Sequence, residues 1–180
     1  MRRSGLFLIS AAVGFAVAFP AAVALAPSLI MAAAMERVTG PAGTNSWSFA
    51  PRTTEASRQI VRPSPDLAYA TCRFDLRGGP IEVKAAASPA GDYFSVSFYA
   101  ANTDNFAAFN DRNSPDGVDV VLALAGQVTP PGRKVVISPS AQGLVLDRRL
   151  APDEARFARV DQIRRANSCA PVAAVGAGPS

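Results

Sequence analysis

The chain has 180 residues, of which 49% are hydrophobic and 18% are charged, and its net charge is +4. Histidine is absent from the sequence, which excludes a serine–histidine triad, a cysteine–histidine pair and a histidine-ligated metal. Arg2 and Arg3 precede an apolar run, and the rest of the chain carries 16 basic (18 − 2) against 14 acidic residues. Nucleic-acid binding requires cations clustered on one face, so we expect no nucleic-acid partner.

The first segment is an apolar run without any charge, from residue 5 to residue 35. About 20 apolar residues span a bilayer core as a helix, so this run is long enough to cross. The arginines ahead of it predict a cytoplasmic N-terminus and an exported remainder. The alternative is a signal peptide cleaved after Ala26 or Ala34. The run is about twice the usual signal length, and Pro27 disfavours the first site, so we favour an uncleaved anchor over residues 1–38.

Three further segments follow the anchor. Residues 39–65 are rich in Pro, Gly, Ser and Thr and predict a stalk or lead-in, in which Trp47 and Phe49 pack on the domain or rest at the lipid interface. Residues 66–169 predict one β-rich domain, large enough to bury a core. The Ala-, Gly- and Pro-rich residues 170–180 predict a disordered tail.

Strand patterns fill most of the predicted domain. Residues 66–76 alternate with period two between an apolar and a polar face, as a half-buried strand does. Six further short runs predict strands: 81–85, 93–100, 106–110, 118–124, 134–138 and 143–150. About seven short strands separated by turn residues indicate an antiparallel, β-sandwich-like domain or a barrel.

One helix is predicted after the last of these strands. Pro152 suits a first helical turn, and the acidic residues after it favour the positive end of the helix dipole. Phe157, Val160 and Ile163 recur at helical spacing. We therefore expect these three side chains to pack on the sheet.

The two cysteines predict a disulfide. Cys72 lies on the apolar face of the first predicted strand, and Cys169 lies just past the helix. Export would place both in an oxidising compartment, where such a pair forms a bridge. Closing a loop of nearly 100 residues stabilises a fold by roughly 4–5 kcal/mol in the chain-entropy model. The alternative is a buried free thiol at Cys72 and an idle one at Cys169.

Residues 101–119 are rich in Asn and Asp, which invites comparison with a calcium loop. The spacing from Asp111 onward departs from the EF-hand pattern, and Leu122 stands where the bidentate Glu would be. Asn and Asp also dominate ordinary turns, because their side chains bond their own backbone. We therefore expect turn chemistry in this segment, with no metal and no cofactor.

A candidate binding surface combines aromatic and amide side chains. Three tyrosines fall on the polar parity of their predicted strands, and several Asn and Asp residues lie near them in sequence. The set comprises Tyr69, Tyr93, Tyr99, Asn102, Asp104, Asn105 and Asn110. Aromatic rings give contact area, and amide groups orient a polar ligand or a partner backbone. The competing interpretation is exposed strand tyrosines and turn residues without a ligand.

Several motifs in a fixed order resemble the domain of unknown function 1254 family. They are residues 64–70 (SPDLAYA), residues 73–76 followed by Gly79-Pro80, residues 92–96 (DYFSV) and residues 101–106 (ANTDNF). The resemblance covers about residues 60–125. With its anchor, stalk and terminal cysteine, the chain is similar to the short, membrane-anchored bacterial members. It implies a β-sandwich-like fold but no settled reaction.

The resemblance also bears on partners. Longer members join this domain to a second one, of unknown function 1214, and short members are suspected to work beside a separate small anchored protein that carries it. We therefore expect a domain anchored in the bacterial inner membrane that faces the periplasm and acts as a binding or assembly module. No catalytic residue is assigned. The rival hypothesis is a hydrolase-like enzyme whose site a partner chain completes.

Overall fold

The computed structural model describes residues 2–39, 43–54, 56–57, 63–89 and 92–172. These residues form two helices and nine strands. In chain order they are α1 (Arg2–Thr39), β1 (Trp47–Phe49), β2 (Leu67–Asp75), β3 (Ile81–Ala86), β4 (Phe94–Ala100), β5 (Asn105–Asn110), β6 (Gly117–Leu124), β7 (Val135–Ser138), β8 (Gln142–Leu150), α2 (Glu154–Arg164) and β9 (Ser168–Pro171).

The strands form two sheets that pack face to face. The five-stranded sheet has the order β1-β2-β8-β4-β5, and the four-stranded sheet has the order β7-β6-β3-β9. Every second side chain of the central strands points into the space between the sheets. Phe74, Phe94, Phe98, Val120 and Leu122 are buried there. The predicted mainly β, sandwich-like fold with a C-terminal helix is confirmed.

The structure corrects the sequence analysis at three points. Regular structure begins before residue 66, because β1 lies in the predicted stalk and pairs with β2. The predicted tail overlaps β9, which pairs with β3; residues 173–180 of that tail lie outside the described residues. The pair β6–β7 is parallel, although an antiparallel sheet was predicted. β1 and β9 have three and four residues, too few for a period-two pattern.

Helix α1 is long and apolar enough to cross a membrane from Phe7 to Thr39, as anchors and signal sequences both are. Its C-terminal turns pack on the outer face of the five-stranded sheet. Met31 and Met35 are each only 5% exposed and cluster with Leu144 of β8. The Thr71 hydroxyl donates to the carbonyl of Val38 at 3.3 Å. The end of the helix is therefore part of the folded domain.

Helix α2 closes one end of the sandwich. Asp153 caps its N-terminus by accepting from the backbone N–H of Arg156 at 2.7 Å. Val160 is buried, and Phe157 packs beside it, as predicted; the third predicted contact, Ile163, is half-buried. Arg164, which the helical pattern did not mark, is also buried, and its guanidinium donates to the backbone carbonyls of Ala50 and Tyr69.

The C-terminal strand is joined to the five-stranded sheet by a disulfide between Cys72 and Cys169. The two Cα atoms lie 6.6 Å apart, within the range that a disulfide can bridge, and the described cysteines include no free thiol. The bridge connects β2 to β9 across the core, and both side chains are buried.

Candidate functional site

The outer face of the five-stranded sheet carries the candidate site. Strand register places four polar side chains side by side across β2, β8, β4 and β5: Tyr69, Arg148, Ser95 and Asn110. We call these four residues the open row. Tyr93, just before β4, joins it through its hydroxyl, and this residue is 38% exposed. Of the predicted residues, Tyr69 is a direct neighbour of Arg148 and Tyr93 is linked to it through Ser95, whereas Asn110 lies one strand further, beside Ser95.

Hydrogen bonds fix the geometry of the open row. The Arg148 Nε donates to Ser95 Oγ at 3.1 Å, and the Tyr93 hydroxyl donates to the same oxygen at 2.9 Å. The Tyr69 hydroxyl accepts from the backbone N–H of Ser64 at 2.9 Å. Ser95, which is buried, therefore holds both an aromatic ring and a guanidinium in place.

A parallel row on the same face runs beside helix α1. Arg73, Leu144, Tyr99 and Asn105 are aligned there by register, and we call them the covered row, because α1 packs on its two central members, Leu144 and Tyr99. Tyr99 packs against the cluster of Met31, Met35 and Leu144. The predicted tyrosine surface is thus divided, because Tyr99 lies beside α1 while Tyr69 and Tyr93 lie in and beside the open row.

The predicted Asn and Asp residues lie at turns. Asn102 donates to the Asp104 carboxylate at 2.6 Å in the β4–β5 turn, where Thr103 has a φ of 74°. Asn105 is exposed at the start of β5. Asn110 lies at the other end of β5, and its side-chain oxygen accepts from the backbone N–H groups of Arg112 and Asn113. These side chains organise turns at opposite ends of β5.

The inner face of the same sheet holds a buried ion pair. Asp147 and Arg149, both 0% exposed, are joined by Arg149 Nε donating to the carboxylate at 2.8 Å. Asn167 donates to the same carboxylate oxygen at 2.8 Å, and Arg149 donates to the carbonyl of Ala86 at 2.8 Å. Burial raises the pKa of Asp147, and the charge of Arg149 opposes that effect.

Charge is balanced differently elsewhere on the outer face. Asp75 accepts from Arg77 and from Gln142, and the Arg77 guanidinium holds the pKa of this carboxyl far below its usual value. Asp75 is therefore paired with a cation of its own chain. The sequence analysis did not select Arg148 or Ser95 as site residues. Ser95 falls on the polar parity of β4, whereas the outward parity of β8 places Arg148 among three leucines.

The fold and this face define a two-sheet β domain joined to an apolar N-terminal helix, with an arginine- and tyrosine-bearing outer surface. The chain belongs to the family described as "Protein of unknown function (DUF1254)", whose profile matches residues 44–171. The resemblance found in the motifs is therefore confirmed. No curated protein matches this chain.

Two solved structures are similar to the chain. The VPA0106 protein from Vibrio parahaemolyticus has a TM-score of 0.57 at 16% identity, over 85% of this chain and 42% of that one. A putative uncharacterized protein from Burkholderia cenocepacia has a TM-score of 0.47 at 18% identity, over 86% and 42%. The first likeness concerns the fold alone. This chain spans less than half the length of either structure.

Proposed function

We propose that this chain is a binding module of the bacterial cell envelope. In this proposal α1 anchors it in the inner membrane, the domain faces the periplasm, and a separate anchored chain with the companion domain of unknown function 1214 is its partner. The observation that carries the proposal is the open row, a preorganised set of tyrosine and arginine side chains on a sheet face. Tyr and Arg are enriched at the energetic centres of protein interfaces.

The length of the VPA0106 structure supports a partner in this proposal. The chain covers 42% of the VPA0106 chain, so the match leaves more than half of that longer protein outside it. A module of this size can be completed by a second polypeptide. The rival enzyme hypothesis has no comparable support. The carboxylate of the buried ion pair, Asp147, is fully buried and bonded to Arg149 and Asn167, so it is closed to a substrate.

The packing of α1 supports an uncleaved anchor. Cleavage after Ala34 would remove Met31, which is buried against the sheet, while cleavage after Ala26 would leave a short helix with the exposed apolar residues Leu29 and Ile30. An alkaline phosphatase fusion after Thr39 should be active, and the mature protein should begin at or next to Met1. A mature N-terminus at Pro27 or Met35 would contradict the anchor.

The partner hypothesis is tested by affinity recovery of the full chain from native membranes, followed by mass spectrometry. We expect recovery of a small anchored protein, reduced in a Tyr93→Ala variant with an unchanged melting temperature. Ile137→Ala is the matched control, because Ile137 is exposed on β7 of the other sheet. Loss of the partner in the Ile137 variant alone would move the interface to β7 and contradict the proposed surface.

A further inference from the structure

Most cations of the described sheets have a counter-charge, whereas Arg148 has none. Arg73 of β2 also lacks one within the described residues, but it lies in the covered row and its Nε is buried. Arg149 pairs with Asp147, Arg133 pairs with Glu82 and Asp119, and Arg77 pairs with Asp75. Within the residues that the structure describes, Arg148 forms no ion pair, and its one side-chain hydrogen bond is to the hydroxyl of Ser95. A guanidinium has five N–H donors, so most of its donor capacity is left for an acceptor from outside.

Among the described residues, the neighbours of Arg148 on the outer face are neutral. Its lateral neighbours in the register are Tyr69 and Ser95, and its neighbours along β8 on that face are Leu146 and Leu150. A half-buried guanidinium with neutral neighbours attracts an anion more strongly than a solvated one, because less of its charge is screened. Its planar fork matches a carboxylate through two parallel hydrogen bonds.

We propose that Arg148 is the docking point for a carboxylate side chain of the partner polypeptide, an Asp or Glu seated between Tyr69 and Tyr93. This rests on the proposed function and deepens it by naming the chemistry that the partner must present. The open row crosses four strands, which at about 4.8 Å per strand spacing is about 14 Å wide. That width fits a polypeptide segment, whereas a small anion would occupy only the fork of Arg148.

The first experiment places a photo-crosslinking amino acid in the full chain at Ala108, an exposed outer-face position of β5 that the proposed contact does not use, and irradiates native membranes. We expect a cross-link to one polypeptide, with an Asp or Glu close to the cross-linked site in the peptide identified by mass spectrometry. Absence of any cross-linked polypeptide in the otherwise unaltered chain overturns the proposed function itself. A cross-linked peptide without an acidic residue overturns only the role of Arg148.

The second experiment is a charge exchange. Arg148→Glu should reduce the cross-linked yield about tenfold or more, which corresponds to about 1.4 kcal/mol. Arg159→Glu makes the same charge change on the exposed face of α2 and should leave the yield unchanged. Replacing the identified acidic residue of the partner by Arg should restore cross-linking to the Arg148→Glu chain.

The outcomes separate the two proposals. An unchanged yield in Arg148→Glu, with the melting temperature also unchanged, overturns the carboxylate docking and leaves the binding module in place. Equal losses of cross-linked yield in Arg148→Glu and Arg159→Glu would indicate a general charge effect, which would also overturn the carboxylate docking. Two results together would assign Arg148 to a small anion instead. Millimolar acetate or phosphate would then reduce the cross-linked yield, and the partner with Arg in place of its acidic residue would fail to restore cross-linking to the Arg148→Glu chain.

Discussion

Two neighbouring arginines of β8 have opposite surroundings. Arg149 points between the sheets, where a carboxylate, a backbone carbonyl and the ring of Phe94 surround its guanidinium. Arg148 points outward and contacts a single hydroxyl within the described structure. The inner cation is neutralised by its own chain, so its role is to hold the fold. The outer cation is held in position without a counter-charge, which is what a binding residue requires.

The largest effect on stability should come from the disulfide on the inner face of the sheet. Replacing both Cys72 and Cys169 by Ala should lower the free energy of unfolding by about 4–5 kcal/mol, because the bridge closes a loop with a sequence separation of 97. Urea unfolding of the full chain in detergent measures this. Reductant should destabilise the unaltered chain to a similar extent and leave the variant unaffected. A bridge-free variant as stable as the unaltered chain would contradict the prediction.

The inner arginine tests the comparison directly. Arg149→Ala should cost about 3–5 kcal/mol, because it leaves the buried carboxylate of Asp147 without its counter-charge. The matched control is the double variant Asp147→Leu with Arg149→Met, which removes both charges and should recover most of that loss. If Arg149→Ala proves as mild as Arg148→Ala, the distinction between the two faces is wrong.

The covered row tests whether α1 belongs to the domain. Met35→Ala should lower the free energy of unfolding of the domain by about 2–3 kcal/mol, because this buried side chain fills the space over Leu144. Leu29→Ala is the control, since Leu29 is exposed on the same helix. Equal stability of both variants, measured by thermal unfolding in detergent, would show that the helix end contributes nothing to the fold.

The sequence predicted the parts of this structure that depend on alternation. The two faces of β2 and β4 follow from their residues, and so do the parity of Cys72 and the outward direction of Tyr69. In β8 the leucines fall on the outward parity, so its sequence alone does not indicate the buried face. β1 and β9 could not be found in this way, because each is short and depends on pairing with a distant strand. Trp47 and Phe49 indicated contact with the domain, but an aromatic pair alone does not specify a strand.

The candidate site was predictable only in part. Parity placed Tyr69 and Tyr99 on one face, but it could not show that the end of α1 lies on the second of them. Arg148 and Arg149 are indistinguishable as a sequence pair until the register assigns Asp147 to the inner face with Arg149. The partners of a charge come from strands far apart in sequence, so no local pattern reveals which arginine is left without one.

The outer-face carboxyl Asp75 extends the comparison of the two faces to the pH dependence of stability. Its pKa is lowered by Arg77, so its contribution to stability is present above the unfolded value near 4 and is lost as the pH falls through the folded value. Asp75→Asn should cost about 1–2 kcal/mol at pH 7. The difference from the unaltered chain should shrink steadily below pH 4. A difference that stays constant down to pH 2 would contradict the ion pair with Arg77, and Asp116→Asn in the exposed β5–β6 turn is the control.

The smallest effect on stability should come from Arg148 itself. Arg148→Ala removes one hydrogen bond to Ser95, whose oxygen still accepts from Tyr93, so we expect a loss of about 1 kcal/mol or less. Arg148→Lys keeps the charge but not the planar fork, and should be as stable as the unaltered chain. Urea unfolding of both variants beside Arg149→Ala and Arg149→Lys measures the contrast within one strand. A loss of 3 kcal/mol or more in Arg148→Ala would make Arg148 a structural residue, since a side chain reserved for a partner leaves the isolated fold nearly unchanged when it is removed.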